Sequence, residues 1–206
     1  MTEALFLTLR VAVVAGVLAL LPGVLLGAWF ARAKGPLATG LEAIVMTPLV
    51  LPPVATGFLL LLLFAHAPFL RGLPFTWWAA SIAAAVMALP LVVQSVRTSV
   101  RGVDPELESV ARTLGAGRWR VLRTVTLPLA WRGIVAGGLL AFCKAVGEFG
   151  ATMIVAGNIP GRTRTLALSI YTYAETGNDR MAIAFVGVST LLAFLVLVLA
   201  RRVERA

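Results

Sequence analysis

Lys144 and Glu148 are two charged residues inside an apolar stretch that runs from residue 133 to residue 157. Four positions apart on a helix, their side chains would share one face and could form an ion pair. Ionisable groups at membrane depth are costly and usually face the protein interior or water. The pair could act as a proton relay, line a pathway or simply fix one helix. We expect pairing, with the Glu148 carboxylate facing a neighbouring helix.

The sequence contains none of the residue patterns that are typical of catalysis or metal binding. Cys143 is its only cysteine and His66 its only histidine, so we predict neither an intrachain disulfide nor a metal site. The sequence also lacks Gly-x4-Gly-Lys-Ser/Thr, the loop that cradles the phosphates of ATP. We therefore predict no catalytic residue and no cofactor bound by this chain.

Five long apolar segments must position the charged pair. The chain of 206 residues is 60% hydrophobic and has a mean hydropathy of +0.95, a composition that excludes an ordinary soluble domain. Runs of about 20 apolar residues are long enough to cross a bilayer as helices. They lie at residues 11–31, 43–65, 72–96, 133–157 and 181–200. We predict a single domain, residues 1–206, of the all-α integral membrane class with five transmembrane helices.

The net charge of +9 is distributed unevenly about these segments, which argues against nucleic-acid binding. Cytoplasmic loops of membrane proteins are enriched in basic residues. If residues 97–132 are cytoplasmic, the inner side carries Arg32, Lys34, Arg97, Arg101, Arg112, Arg118, Arg120, Arg123, Arg132, Arg201, Arg202 and Arg205. The outer side carries only Arg10, Arg71, Arg162, Arg164 and Arg180. The asymmetry predicts an N-terminus outside and a C-terminus in the cytoplasm.

A polar segment between the third and fourth apolar runs carries the signals of a short capped helix. Asp104 is a good N-cap, and the residue after it is a proline, which fits the first helical position. One apolar stripe follows at helical spacing: Leu107, Val110, Ala111 and Leu114. Gly115 is the expected C-terminal cap. We predict an amphipathic helix that projects from the membrane into water.

Helix-breaking residues cluster at the start of the second apolar segment. Pro48, Pro52 and Pro53 are followed by Thr56. Lipid cannot satisfy the backbone groups that such residues free, so this backbone would be buried in protein or line a cavity. The alternative is an ordinary loop before a helix that begins near Ala55, which leaves a run too short to span the bilayer comfortably.

The polar segment resembles the cytoplasmic loop of ABC-importer permeases, in which E-A-A, three residues, Gly, nine residues and I-x-L-P recur. Gly115, Val125, Leu127 and Pro128 match the second half of that pattern. The first half departs from it, since residues 109–111 read Ser-Val-Ala and Glu108 stands one residue early. Together with PLVLPPV (48–54), GEFGAT (147–152) and GNIPGRTRTL (157–166), the chain resembles molybdate- and tungstate-type permeases over nearly its whole length.

The resemblance implies roles for three groups of residues. The cytoplasmic helix would couple to an ATPase through Asp104, Leu107, Glu108, Val110, Ala111, Leu114 and Gly115. The translocation pathway and its gate would include Pro52, Pro53, Thr56, Glu148, Gly150 and Thr152. Exposed arginines flanking the outer mouth would steer or dock a binding protein: Arg71, Arg162, Arg164 and Arg180.

The resemblance also implies partners and a location. We expect a homodimer in the inner membrane of a bacterial or archaeal cell, surrounded by lipid, with two ATPase subunits that bind ATP and Mg²⁺. We expect an extracytoplasmic binding protein that delivers molybdate. Two alternatives stay open: a sulfate or thiosulfate permease of the same architecture, and an intramembrane enzyme that uses Glu148, Lys144 and Thr152.

Overall fold

The structure, a computed structural model, describes the backbone of residues 1–205 and the side chains of residues 1–198. Every regular element of the described chain is helical, which confirms the all-α class. The helices are α1 (Thr2–Arg32), α2 (Pro36–Met46), α3 (Pro53–His66), α4 (Trp77–Arg101), α5 (Pro105–Thr113), α6 (Arg118–Val121), α7 (Leu127–Leu129), α8 (Trp131–Val146), α9 (Gly150–Ala156), α10 (Leu166–Glu175) and α11 (Asp179–Arg205). A π-helical segment, Leu122–Thr126, joins α6 to α7, and 3₁₀ turns cover Thr47–Leu49 and Pro68–Leu70.

Three helices, α1, α4 and α11, are each long and apolar enough to cross a membrane. Two further spans exist only if a bent pair of helices is counted as one. Helix α2 with its 3₁₀ turn meets α3 at 111°, and the segment Arg118–Leu129 meets α8 at 73°. The described chain thus offers three to five spans. The apolar segment at residues 43–65 is divided between α2 and α3, and the segment at residues 133–157 between α8 and α9.

Local chemistry explains the breaks within those two segments. Pro53 starts α3, and a residue before proline is disfavoured in the α-helical region. Pro52 is accordingly extended, with φ −53° and ψ 134°. Helix α8 ends at Val146, and a new helix begins at Gly150 because the Glu148 carboxylate accepts the N–H of Ala151. That bond satisfies one of the donors that a helix start leaves without a partner.

Helix α4 forms the centre of the packing. In the most apolar stretch of α4, 67% of the residues are buried, compared with 39% in α1 and 11% in α11. Small residues let α1 approach closely: a Cβ atom on Gly27 would lie 2.8 Å from the Val93 carbonyl oxygen. Gly137 lets α8 approach α4 in the same way, since a Cβ atom on Gly137 would lie 3.3 Å from Ser95 Cβ. Helix α4, and not the fourth apolar segment with its many small residues, therefore lies at the centre of the packing.

Helix α11 lies at the periphery of the helical body. Its described side chains bury little surface, apart from a small cluster of Phe185 with Ala4 and Leu166. Helix α10 packs against α11 and is anchored on α1, because the Thr8 hydroxyl accepts the N–H of Leu166 at 2.9 Å. The loop between the fourth and fifth apolar segments therefore contains a helix that lies against the helical body.

Candidate functional site

The amphipathic helix predicted in the polar segment exists as α5. The Asp104 carboxylate accepts the backbone N–H of Glu106 at 2.9 Å, which confirms it as the N-cap. At the other end Gly115 has φ +84°, a conformation that favours glycine. The Gly115 N–H donates to the Arg112 carbonyl and the Ala116 N–H to the Ala111 carbonyl, each at 3.0 Å. This pair of bonds is a Schellman motif, which ends the helix sharply.

One face of α5 leaves its apolar side chains in solvent. Leu107, Val110 and Leu114 are 49%, 57% and 83% exposed, and Ala111 is partly buried. Trp119, on the next short helix, is 67% exposed. Exposed apolar side chains that lie together on a soluble surface usually mark a protein–protein contact. The face is available to a partner without any change in the chain's own packing.

Glu108 belongs to the interior and not to that exposed face. It is 5% exposed, and its Oε1 accepts from Arg32 Nη2 at 3.0 Å and from the Thr126 hydroxyl at 2.9 Å. Its Oε2 accepts from Arg112 Nη2 at 3.0 Å. The carboxylate therefore ties α5 to the end of α1 and to the π-helical segment. The Arg32 and Thr126 partners were missed by sequence reasoning, because they are distant in sequence.

Lys144 and Glu148 form the predicted ion pair. Lys144 Nζ lies 2.6 Å from Glu148 Oε2, while Oε1 accepts the Ala151 N–H at 3.1 Å. The Glu148 side chain is 1% exposed and the Lys144 side chain 32%. The carboxylate thus sits at the start of α9, where the helix dipole favours negative charge. Pairing, and contact with the neighbouring helical segment, are confirmed.

Two of the predicted gate residues, Pro53 and Gly150, meet where α3 packs against α9. A Cβ atom on Gly150 would lie 2.8 Å from Pro53 Cβ, so the two backbones touch closely. Thr56 and Thr152 are buried, 6% and 1% exposed. The Thr56 hydroxyl oxygen has no hydrogen-bond partner among the described residues. Pro52, in contrast, is exposed at the break that precedes α3.

The outer arginines differ in their surroundings. Arg71, Arg162 and Arg180 are exposed, whereas Arg164 is partly buried and its Nε donates to Asn158 Oδ1 at 2.8 Å. Arg164 therefore organises its own loop. Arg10, which sequence reasoning did not select, lies 3.7 Å from the centroid of a Trp77 ring. Such a contact is a cation–π interaction, and the only sequence signal for it was a single cation in the apolar first segment.

An aromatic contact joins α10 to the linker between α8 and α9. The rings of Phe149 and Tyr171 have centroids 5.2 Å apart. Phe149, the residue that follows Glu148, is thus packed directly against α10.

The Tyr171 hydroxyl also donates a hydrogen bond to Glu175 Oε1 at 3.0 Å. This bond raises the pKa of Tyr171, because the carboxylate stabilises the protonated phenol.

The fold is a helical body with apolar helices long enough to cross a membrane and one exposed, capped amphipathic helix. The chain belongs to the family of inner membrane components of binding-protein-dependent transport systems, whose family model matches residues 23–206. Members of this family are transport components, so the alternative of an intramembrane enzyme is set aside.

Known proteins resemble the chain in both sequence and fold. The permease protein YvgM of Bacillus subtilis is 42% identical over 200 residues, which cover 93% of this chain and 88% of that protein. The molybdenum transport system permease protein ModB of Escherichia coli K12 is 39% identical over 213 residues, covering 98% and 93%. An inward-facing structure of the MetNI methionine ABC transporter matches with a TM-score of 0.80 at 20% identity, over 100% of this chain and 94% of that one. That likeness shows the fold.

Proposed function

We propose that this chain is the transmembrane permease of an ATP-driven importer for molybdate. The observation that carries the proposal is the 39% identity to a molybdenum transport permease over nearly the full length of both chains. Permeases named for molybdenum transport in Haemophilus influenzae and Azotobacter vinelandii are 40% and 37% identical. Tungstate, which has the same tetrahedral shape and charge, is the nearest competing substrate.

The proposed arrangement has five spans: α1, the bent pair of α2 and α3, α4, α8 and α11, with residues 97–132 on the cytoplasmic side. The N-terminus is outside and the C-terminus cytoplasmic, because this orientation places twelve basic residues inside and five outside. Five helices are few to enclose a hydrated pathway, so two copies pair about a two-fold axis. The surrounding medium is the lipid of the inner membrane.

In this proposal the exposed face of α5 docks into a groove on an ATPase subunit, one for each permease copy. Leu107, Val110 and Leu114 would fill that groove, and the capped ends hold the helix rigid. ATP and Mg²⁺ would bind to the ATPase, since this sequence has no phosphate-binding loop. Closure of the two ATPases would draw the paired α5 helices together and open the pathway outward.

The membrane-embedded residues have two separate tasks in the proposed cycle. The crossing of α3 and α9, with Pro53, Thr56, Gly150 and Thr152, would form part of the gate, because close backbone contact lets a small shift open or close a gap. The Lys144–Glu148 pair would hold the start of α9 in place. An unpaired carboxylate there would repel a dianion.

On the outer side, exposed arginines would attract an anion-binding protein without binding the anion tightly themselves. Arg71, Arg162 and Arg180 meet that requirement, since exposed charges are screened over about 8 Å at physiological salt. Substrate selectivity would then reside largely in the extracytoplasmic molybdate-binding protein that the system requires.

The test is uptake of labelled molybdate by cells that lack their own molybdate permease. The cells receive this chain together with its ATPase and binding protein, and a matched strain lacks only this chain. We expect uptake that needs all three components and that excess unlabelled molybdate, but not sulfate, abolishes. Uptake that sulfate or thiosulfate suppresses equally well would assign the chain to the alternative substrate.

A further inference from the structure

A cavity of about 820 Å³ lies beside α5, between that helix and the ends of α1 and α4. Its walls combine two kinds of side chain. Arg32, Arg112 and Arg118 carry positive charge, whereas Leu25, Ala28 and Val100 are apolar. The exposed apolar side chains of α5, Leu107, Val110 and Leu114, do not line this cavity.

The cavity has a net positive charge. Among the described residues, one acidic side chain, Glu108, lines the cavity against three arginines, which leaves a charge of +2. The bonds from Arg32 and Arg112 to Glu108 use the Nη2 atoms alone, while a guanidinium group carries five N–H donors. The side chains of Arg32 and Arg112 remain 35% and 51% exposed. Donors therefore remain for a further anion, and arginine suits phosphate oxygens.

The position and shape of the cavity favour an amphiphilic ligand. Leu25 lies seven residues before Arg32 on α1, so the cavity reaches about 10 Å from the helix end into the apolar part of the helix. Trp29 and Trp119 flank it and are 45% and 67% exposed. Tryptophan is enriched at the boundary between lipid headgroups and hydrocarbon. A free inorganic anion would use the arginines but leave the apolar part of the cavity empty.

We propose that this cavity binds an anionic phospholipid of the inner leaflet, such as phosphatidylglycerol. The phosphate group lies against Arg32, Arg112 and Arg118, and an acyl chain runs along Leu25, Ala28 and Val100. The site rests on the proposed cytoplasmic position of α5. Glu108 and Arg112 lie on α5 about 130° around the helix from its exposed apolar stripe. The lipid would therefore contact the Glu108–Arg112 face of α5 while an ATPase binds the apolar stripe.

The experiment measures lipid retention by the purified full-length permease. The protein is extracted in detergent with equal amounts of phosphatidylglycerol and phosphatidylcholine, and native mass spectrometry counts each lipid that stays bound. We expect preferential retention of phosphatidylglycerol, lowered about fivefold by Arg118→Gln, the factor expected of one arginine near an anionic membrane surface. Arg118→Lys keeps the charge and should keep most of the preference.

Arg123→Gln is the matched control, because Arg123 is exposed in the same loop but does not line the cavity. An equal loss in that control would show diffuse surface charge and overturn the site. Displacement of the lipid by millimolar inorganic phosphate would assign the cavity to a free anion, and displacement by the bound ATPase would assign it to that interface. Either result would overturn the lipid proposal. Molybdate uptake is measured separately, so a failure of the lipid site leaves the test of transport intact.

Discussion

Two buried carboxylates, Glu108 and Glu148, show how the chain tolerates charge in its interior. Each is less than a tenth exposed, and each accepts hydrogen bonds from a cation and from a further donor. Burying a charge is costly unless it is paired and hydrogen-bonded. At the residue scale, the consequence is that both carboxylates fix the positions of helix ends: Glu108 that of α5, and Glu148 that of α9.

We predict that the two members of the Lys144–Glu148 pair are coupled. Lys144→Met leaves the carboxylate of Glu148 buried without its cation, and breaking a buried pair in this way costs about 3–5 kcal/mol, less here because Lys144 is about a third exposed. The double variant Lys144→Met with Glu148→Gln removes both charges and should be more stable than Lys144→Met. Thermal unfolding of the purified permease in detergent measures the difference.

Independent, additive losses in the double variant would contradict this coupling. If a Glu148→Gln variant assembles and unfolds like the wild type, yet transports abnormally, Glu148 lines the translocation pathway and its main role is not structural.

At the scale of elements, α5 uses different residues for its exposed face and for its attachment to the helical body. Its stripe of apolar side chains points to solvent, while its caps and Glu108 hold it to the body. Substitutions on the stripe should therefore affect a partner and spare the fold. Substitutions at the caps should affect the helix itself.

Leu114→Asp should weaken co-purification of the ATPase severely, and Leu107→Asp should do the same. Burying a leucine side chain in a partner's groove is worth about 1.5–3 kcal/mol, and a buried aspartate would add a desolvation cost. Both side chains are exposed in the isolated chain, so the permease itself should fold normally. The control is Ser109→Asp, an exposed position on the opposite face of α5. Wild-type amounts of ATPase bound to either leucine variant would refute the docking role.

Gly115→Val should loosen the end of α5. Gly115 has φ +84°, and a non-glycine residue in a left-handed conformation costs about 1–2 kcal/mol, with a further penalty for a β-branched side chain. Gly117→Val is the matched control, since Gly117 has φ −67° and open space around its Cβ position. We expect lower ATP-driven transport for Gly115→Val and near-normal transport for Gly117→Val. Equal effects of the two changes would show that the loop tolerates no bulk, whatever its backbone conformation.

At the scale of the whole molecule, the proposed topology separates charge between the two sides of the membrane. The buried centre is built from α4 with the small residues of α1 and α8 against it, and the proposed orientation places twelve basic residues on the cytoplasmic side and five outside. The smaller outer group is spread over loops that are far apart in sequence. Its combined field, and not any single side chain, should matter for the approach of a binding protein.

Neutralising Arg71, Arg162 and Arg180 together should slow delivery by the binding protein severalfold at low salt, and the difference should shrink as salt rises. Arg164 is left unchanged because it holds Asn158. The measurement is the initial rate of molybdate uptake by reconstituted vesicles at several salt concentrations. The control is Arg120→Gln, a change at an exposed residue that the proposed topology places on the cytoplasmic side. A single arginine substitution that switched preference from molybdate to sulfate would make the permease itself the selectivity filter and contradict the steering role.

The sequence by itself determined the features that depend on neighbouring residues. Asp104 and Gly115 fix the two ends of α5 through bonds that span at most five residues, and the i, i+4 spacing of Lys144 and Glu148 is enough to predict their pairing. Long apolar runs likewise predict α1, α4 and α11, since the cost of burying backbone groups in lipid leaves helix as the only solution.

Only the tertiary structure decided the features that depend on contacts between distant segments. Arg32 reaches Glu108 across 76 positions, which turns a residue expected at the ATPase-facing surface into an internal tie. The prolines before α3 predict a break there, but its 111° angle came only from the structure, and the new helix start at Gly150 was hidden inside an apolar run. Hydrophobicity indicates whether a segment can be buried. The direction of a helix depends on which backbones can approach one another closely, as those at Gly150 and Pro53 do.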